Sequence, residues 1–155
     1  SQPTMKEFKS VDDILDFAMN SEQEAVDFYN HLAENAQNEE MQKIFNQFAQ
    51  EEISHKAKIR KIKEEGTYEL SREKLRNLKV SDYMVNVKPT PDMNYQDALV
   101  LAMNKEKAAF RLYMDLGEQT QQQEMKDLFL ALAQEESKHK LRFELEYDEY
   151  VLREN

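Results

Sequence analysis

Apolar and polar residues follow one another along this chain in steps of three and four, which is the spacing of amphipathic helices. Four such stripes occur, and we name the helices that they predict A to D. Helix A begins near Ser10, helix B runs from about residue 39 to Glu65, helix C begins near Asp92 or Asn94, and helix D ends near Tyr150. With only 2 glycines and 3 prolines in 155 residues, the chain has few helix breakers, and the predicted fold class is all-α.

The middle of every stripe is polar, although a bundle helix normally places apolar residues there. Helices B and D carry Glu-x-x-His steps, from Glu52 to His55 and from Glu136 to His139, while helices A and C carry single glutamates, Glu22 and Glu106. Residues three apart share one face of a helix. Each step therefore directs a carboxylate and an imidazole to the same side.

The two halves of the chain repeat one pattern. Residues 18–34 and 102–118 are identical at eight of seventeen positions, and residues 41–58 and 125–142 are identical at eight of eighteen, without a gap. Two copies of a helical hairpin that pack about a pseudo-twofold axis would bring all the polar stripe positions together. We therefore predict a four-helix bundle with these polar residues at its centre.

The connection between the two hairpins is long for a compact domain. It follows Gly66, contains a short helix expected from Ser71, and ends near Pro91. Ferritin-like bundles contain such a connection, because one long crossover joins their two hairpins. We predict a single ferritin-like domain over residues 1–155, with hairpin A–B at about 10–66, the crossover at about 67–92 and hairpin C–D at about 93–152.

Six polar residues in duplicated register form the ligand set of a two-metal site inside a four-helix bundle. The candidate ligands are Glu22, Glu52, His55, Glu106, Glu136 and His139. Unpaired buried carboxylates are costly, whereas two divalent cations would balance four carboxylates. The alternative is a polar seam of Glu–His hydrogen bonds that fixes the helix register, but such a seam does not require the pattern to be duplicated.

The neighbours of these residues suit a metal site. Alanines flank Glu22 and Glu106 along their stripes and would leave room for ions. The apolar residues a turn away are expected to wall the site and keep it largely dry: Phe45, Phe48, Ile59, Phe129, Leu132 and Phe143.

Other neighbours are candidates for supporting roles. Tyr29 and Tyr113 lie seven residues beyond the glutamates of helices A and C. They are either hydrogen-bond partners of the ligand carboxylates or redox-active neighbours, which makes them the candidate catalytic residues; a core tyrosine with a satisfied hydroxyl is the alternative. Glu51 and Glu135 lie off the stripe and are read as solvated or supporting carboxylates, and His31 is expected at the surface.

Composition excludes several classes of function. The formal net charge of −10 makes a nucleic-acid partner unsuitable, because phosphate binding needs a positive surface. No apolar run follows the first residues, so we expect no signal peptide, and no stretch has the roughly 18 apolar residues of a membrane span. The expected location is cytoplasmic.

The six residues and their surroundings resemble the ferritin-like superfamily, and most closely its rubrerythrin-type diiron domain. The resemblance rests on Ala18 to Glu22 with Tyr29, on Glu51 to Lys56, on Met103 to Glu106 with Tyr113, and on Glu135 to Lys140, and it extends over about residues 10 to 150. It implies two iron ions, with Glu22 and Glu106 as terminal or bridging ligands, Glu52 and Glu136 as bridges, and one histidine for each iron. Mn and Zn also accept such ligands, so the native metal stays open.

The sequence departs from rubrerythrins proper in two respects. Ala109 stands where they carry an extra ligand glutamate, and the chain has no cysteine, which excludes a rubredoxin-like iron centre within it. The remaining set of six ligands is more similar to that of a bacterioferritin ferroxidase centre.

The resemblance implies a diiron oxidoreductase that responds to oxidative stress, reacts with hydrogen peroxide or dioxygen and receives electrons from an external donor. Two alternatives stay open: a non-catalytic iron-binding or ferroxidase-type iron-handling protein, and a helical interaction module with a vestigial site. We also expect a homodimer, in which the long crossover would allow the hairpins to be swapped between chains.

Overall fold

The computed structural model describes residues 7–154, and all regular secondary structure in this range is helical, without a strand. The helices are α1 (Val11–Glu34), α2 (Glu39–Glu65), α3 (Arg72–Asn77), α4 (Tyr95–Gln119) and α5 (Gln123–Glu154), with one 3-10 turn at Val80–Asp82. Helices A, B, C and D of the sequence correspond to α1, α2, α4 and α5, which confirms the all-α class. The first six residues, for which no signal peptide is expected, lie outside the described range.

Side-chain caps fix where the long helices begin. The side chains of Ser10, Asn38 and Asn94 each accept a hydrogen bond from the backbone N–H three residues further on, which satisfies one of the free donors at a helix start. Helix α2 ends at Gly66, whose φ of 62° is left-handed and suits a residue without Cβ. The start of helix A at Ser10 and the end of helix B at Gly66 are therefore confirmed.

Helix α1 packs along α2, and α4 packs along α5. The buried side chains form two apolar clusters. One contains Ile14 and Leu15 with Phe129 and Leu132, and the other contains Phe28 and Leu32 with Phe45 and Phe143. In α1 the buried residues of the first cluster end at Ala18 and those of the second begin at Ala25. Glu22 lies on the helical turn between these two alanines. The polar residues thus form a layer between two apolar layers of the bundle.

The crossover is anchored on the bundle by tyrosines. The Tyr68 hydroxyl donates a hydrogen bond to the Leu116 carbonyl over 2.7 Å, and the Tyr83 hydroxyl donates to the Asp115 carboxylate over 2.5 Å. Val80 and Tyr83 are buried in the first apolar cluster. The segment that links the hairpins therefore covers one side of the bundle.

Helix α5 continues to Glu154, four residues beyond the predicted end at Tyr150. No glycine follows Gly117 and no proline follows Pro91 in the sequence, so no local signal stops the helix. Its last turns are held by packing, because the Tyr150 ring lies 5.0 Å from that of Tyr95. Within residues 7–154, no helix combines the length and apolar composition needed to cross a membrane.

Candidate metal centre

The six candidate ligands meet in the central layer of the bundle. Glu22 comes from α1, Glu52 and His55 from α2, Glu106 from α4, and Glu136 and His139 from α5. Each of the six residues is at most 3% exposed. Side chains 84 residues apart in the sequence, such as Glu52 and Glu136, thus become neighbours through the packing of the two hairpins.

Two overlapping sets of potential ligand atoms occur in this layer. One set joins Glu22 and His55 to Glu52 and Glu136, and the other joins Glu106 and His139 to the same Glu52 and Glu136. Within each set the ligand atoms lie no more than 4.8 Å from one another. Glu52 and Glu136 therefore lie between two positions, each of which has a further carboxylate and an imidazole of its own.

Seven buried atoms of these residues form no hydrogen bond of ordinary geometry within the described chain, although some lie close together, such as His55 Nδ1 at 2.7 Å from Glu136 Oε1. They are Glu22 Oε2, Glu52 Oε1, His55 Nδ1, Glu106 Oε2, both carboxylate oxygens of Glu136, and His139 Nδ1. Buried polar atoms are normally paired, and leaving one unpaired costs about 1–3 kcal/mol. These donor atoms belong to all six residues, and carboxylate oxygens with imidazole nitrogens suit divalent cations such as Fe, Mn and Zn. The layer therefore fits a pair of metal ions.

The outer nitrogen of each imidazole is hydrogen-bonded to a carboxylate of the opposite hairpin. His139 Nε2 lies 2.7 Å from Glu51 Oε2, and His55 Nε2 is hydrogen-bonded to Glu135. An ionised carboxylate only accepts, so each Nε2 carries the proton and donates it. This bond fixes the ring and leaves Nδ1 directed at the central glutamates, as it is in histidines that bind a metal.

The two tyrosines pair with the glutamates of the opposite helix. The Tyr113 hydroxyl donates to Glu22 Oε1 over 2.7 Å, and the Tyr29 hydroxyl donates to Glu106 Oε1. In both carboxylates the other oxygen, Oε2, is the one without a partner. The tyrosines therefore orient each carboxylate so that Oε2 faces the centre. Because of burial and the charge of the nearby glutamates, the pKa of both hydroxyls lies well above the ordinary value of tyrosine, and they remain donors.

Without metal, the shared glutamates hold protons more tightly than free carboxylic acids. Burial, together with the charges of Glu106 and Glu22, raises the pKa of Glu52 to about 8. Burial and the charges of the neighbouring glutamates also raise the pKa of Glu136 well above its ordinary value. The metal-free centre therefore takes up protons where the loaded centre would hold cations.

The two histidines are basic for the same reason. Burial lowers the pKa of His55, but the nearby carboxylates of Glu22 and Glu52, at 3.6 and 3.1 Å from Nδ1, outweigh burial and raise it to about 11. For His139 burial is likewise outweighed, chiefly by Glu106, and the pKa is raised to about 9. Both imidazoles must lose a proton before Nδ1 can bind a metal, so metal binding is coupled to proton release.

The surroundings of the centre differ from side to side. The predicted apolar wall residues are all buried, and the Phe48 ring stacks on His139 at 4.0 Å. On the side of α1 and α4, by contrast, a cavity of about 800 Å³ reaches Glu22, Glu52, Glu106 and Glu136. The alanines beside the glutamates line this cavity at positions 18, 25 and 109. The centre is thus closed by aromatic rings on one side and bordered by open volume on the other.

The sequence carries less information about the supporting residues than about the candidate ligands. From the sequence, hydrogen bonds to ligand carboxylates are one of the roles open to the tyrosines. The structure shows that each tyrosine pairs with the glutamate of the opposite helix. For Glu51 and Glu135 the sequence predicts solvated or supporting carboxylates. Each precedes a stripe glutamate by one residue, and nothing else in the sequence indicates their hydrogen bonds to the histidines. His31 is exposed, as expected.

Fold and site together define a ferritin-like helical bundle with a candidate dinuclear carboxylate–histidine centre. The family model of rubrerythrin matches residues 13–147, and this chain therefore belongs to the rubrerythrin family. A crystal structure of a ferritin-like diiron-carboxylate protein from Thermotoga maritima is similar in fold, with a TM-score of 0.74 and 22% sequence identity over 93% of this chain and 98% of that chain. No curated protein matches the sequence.

Proposed function

We propose that this chain is a diiron oxidoreductase that reduces hydrogen peroxide or dioxygen. The observation that supports it best is the pair of overlapping ligand sets with unpartnered donor atoms directed at one another. Membership of the rubrerythrin family and the diiron-carboxylate description of the Thermotoga protein favour iron. Mn and Zn remain the competing ions, because Zn generally binds such donors more tightly than Fe(II).

In this proposal Glu52 and Glu136 hold both ions, since they belong to both sets. Glu22 and His55 complete one position, and Glu106 and His139 complete the other. Four carboxylates and two neutral imidazoles carry four negative charges, which two divalent cations neutralise. When bound, a pair of ferrous ions supplies two electrons to an O–O bond.

The protein holds the ligands in position and controls protons. The hydroxyls of Tyr29 and Tyr113 orient Glu106 and Glu22, and because their pKa values are raised, both hydroxyls keep their protons as hydrogen-bond donors. Glu51 and Glu135 hold the proton on each Nε2 and thereby keep Nδ1 free for a metal. Reduction of peroxide to two waters consumes two electrons and two protons, so protons must reach the layer during each turnover.

An external one-electron donor must return the two electrons. These 155 residues contain no cysteine, so a thiolate-bound iron centre would lie outside them. We propose a small redox protein or a reduced flavin as this donor. The donor distinguishes the proposed enzyme from an iron-handling protein, which oxidises each ferrous ion once and then releases or stores it.

Turnover of peroxide by anaerobically iron-loaded protein tests the proposal. With an artificial electron donor in excess, the oxidoreductase is expected to consume many peroxides per chain, and a His139→Ala variant is expected to lose this activity. His31→Ala is the matched control, because His31 is exposed and belongs to neither ligand set. Consumption that stops after one or two oxidising equivalents per chain would instead support the iron-handling function.

A further inference from the structure

The cavity beside the metal centre is large for the reaction proposed above. Its volume of about 800 Å³ falls within the 300–1,000 Å³ typical of sites for organic ligands. Peroxide and dioxygen each contain only two heavy atoms. Helices α1 and α4 form its two walls, and residues 80–91 of the crossover lie over it. The volume therefore indicates a larger occupant.

The cavity is elongated along α1. Its lining on α1 runs from Phe17, which packs against the same apolar cluster as Val80 and Tyr83, past Phe28 to His31, and Lys105 lies at the Phe28 ring. The eleven steps along the helix from Phe17 to Phe28 correspond to about 16 Å at 1.5 Å per residue. An extended chain covers about 3.5 Å with every three bonds, so the cavity admits roughly 13 or 14 bonds in a row.

The lining between the two ends combines polar groups, among them Asn20, Ser21 and the four glutamates of the centre, with a larger apolar area. Ala18 and Ala25 contribute from α1, and Ala109 and Leu112 contribute from α4. Met84 and Val87 contribute from the crossover, and both are exposed to solvent by more than a third of their surface. Small side chains along the walls and large ones over the opening leave a channel that suits an aliphatic chain.

Two lysines, Lys88 and Lys105, line this channel, and Lys105 lies at its Phe28 end. The Lys105 side chain is only 13% exposed, and its Nζ lies 3.9 Å from a carboxylate oxygen of Glu24, which is itself 73% exposed. That distance exceeds a hydrogen bond. Nζ also lies 5.8 Å from the centre of the Phe28 ring. A largely buried ammonium with three donors has room for a closer anionic partner.

We propose that the cavity binds a medium-chain carboxylic acid, with its carboxylate at Lys105 and its aliphatic chain along the groove between α1 and α4. The occupant would cover the side of the centre that the aromatic rings leave open. The inference deepens the proposed function and rests on it for what the bound acid would cover, whereas binding itself needs only the cavity and Lys105, which belong to the protein. The small side chain of Ala109 leaves room for the aliphatic chain of the ligand next to Glu106.

Calorimetric titration with dodecanoate tests the proposal, with dodecan-1-ol as the uncharged ligand of the same length. We expect one dodecanoate per chain in both the metal-free and the zinc-loaded protein, and weaker binding of the alcohol. Lys105→Met is expected to weaken dodecanoate binding at least tenfold, because it removes a charge-assisted hydrogen bond. Lys107→Met, an exposed lysine on the same helix, is the matched control and should bind like wild type.

Filling the groove provides the second test. Ala109→Phe is expected to abolish binding, and Ala108→Phe, which also alters the lining, replaces it if the first variant does not fold. Absence of dodecanoate binding to wild type, or equal binding by wild type, Lys105→Met and a filled variant, would overturn the inference. Iron stoichiometry and peroxide turnover are measured separately. Loss of the proposed function would leave dodecanoate binding intact, and loss of dodecanoate binding would leave the proposed function intact.

Discussion

At the scale of single residues, four of the candidate ligands have one polar atom in a hydrogen bond and the other free for a metal. Each histidine has a carboxylate on Nε2, and Glu22 and Glu106 each have a tyrosine hydroxyl on Oε1. The atoms that remain, Nδ1 and Oε2, face the interior without partners. Removal of any one side chain should therefore weaken metal binding without unfolding the helices that carry it.

Replacement of one histidine is expected to halve the metal content. His55→Ala removes the imidazole from one ligand set and His139→Ala removes it from the other, so each variant retains one complete set. Elemental analysis after iron loading should show about one tightly bound ion for each variant, and His31→Ala should behave like wild type. Unchanged metal content in both variants would contradict the assignment of the ligands.

The carboxylates behind the histidines are expected to tune metal affinity. Glu51→Gln and Glu135→Gln remove a negative charge from the partner of an imidazole N–H, and changes of such partners typically cost about 10–100-fold in metal affinity. Competition with a chromophoric chelator measures the loss. Glu64→Gln, at an exposed position of α2, controls for the change in net charge, and a loss of equal size in this control would show that the histidine bonds are not the cause.

That these six residues lie together was predictable from the sequence, but which of them are shared between the two ligand sets was not. Spacing distinguishes Glu52 from Glu22 only by the histidine three residues on, and it is the family resemblance, not the spacing, that suggests Glu52 and Glu136 as bridges. The shared position of Glu52 and Glu136 arises because α2 and α5 place two polar residues each in the central layer, whereas α1 and α4 place one. This arrangement depends on how the helices are rotated in the bundle.

At the scale of elements, the sequence predicts the helices through caps and stop signals. Ser10, Asn94 and Gly66 mark boundaries that the structure reproduces. Two parts of the chain carry weaker signals. The end of α5 has no stop residue, and the 3-10 turn at Val80–Asp82 is too short for a hydrophobic period. In both places tertiary packing decides the conformation.

Gly66→Ala is expected to lower the free energy of unfolding by about 1 kcal/mol. The residue adopts a φ of 62°, and a Cβ at this position would meet no atom within 4 Å, so the cost is conformational rather than steric crowding by neighbours. Gly66→Asn should cost less, since asparagine tolerates the left-handed region. Denaturant melts of metal-free protein measure both values, and an Ala variant as stable as wild type would contradict the explanation.

At the scale of the whole molecule, the metal centre joins the two hairpins. Helices α1 and α2 contribute half of the ligands and α4 and α5 the other half, and both histidine hydrogen bonds run from one hairpin to the other. Bound metal should therefore stabilise the bundle by mass action, by about 3–4 kcal/mol at a few hundred to a thousand times the dissociation constant.

Metal-free protein is expected to lose stability as the pH rises. The folded-state pKa values are raised for Glu52, to about 8, and for His139 and His55, to about 9 and about 11. A raised pKa means that the folded chain binds more protons than the unfolded chain, so the free energy of unfolding falls with increasing pH. The loss begins above the ordinary pKa of glutamate and continues to about pH 11.

Thermal melts at pH 5 and pH 8, with and without metal, check this dependence. We expect the metal-free protein to melt at a lower temperature at pH 8 than at pH 5, and we expect loading to raise the melting temperature most at pH 8. Equal melting temperatures of the metal-free protein at the two pH values would contradict the account of how charge is balanced in the centre.

Anomalous diffraction at the iron edge, from crystals loaded with ferrous iron without oxygen, tests the central claim most directly. We predict two iron peaks in each chain, roughly 3.5–4 Å apart, with Glu52 and Glu136 contacting both ions. One peak should lie beside Nδ1 of His55 and the other beside Nδ1 of His139. A single peak, or peaks away from this layer, would contradict the assignment of a dinuclear centre to these six residues.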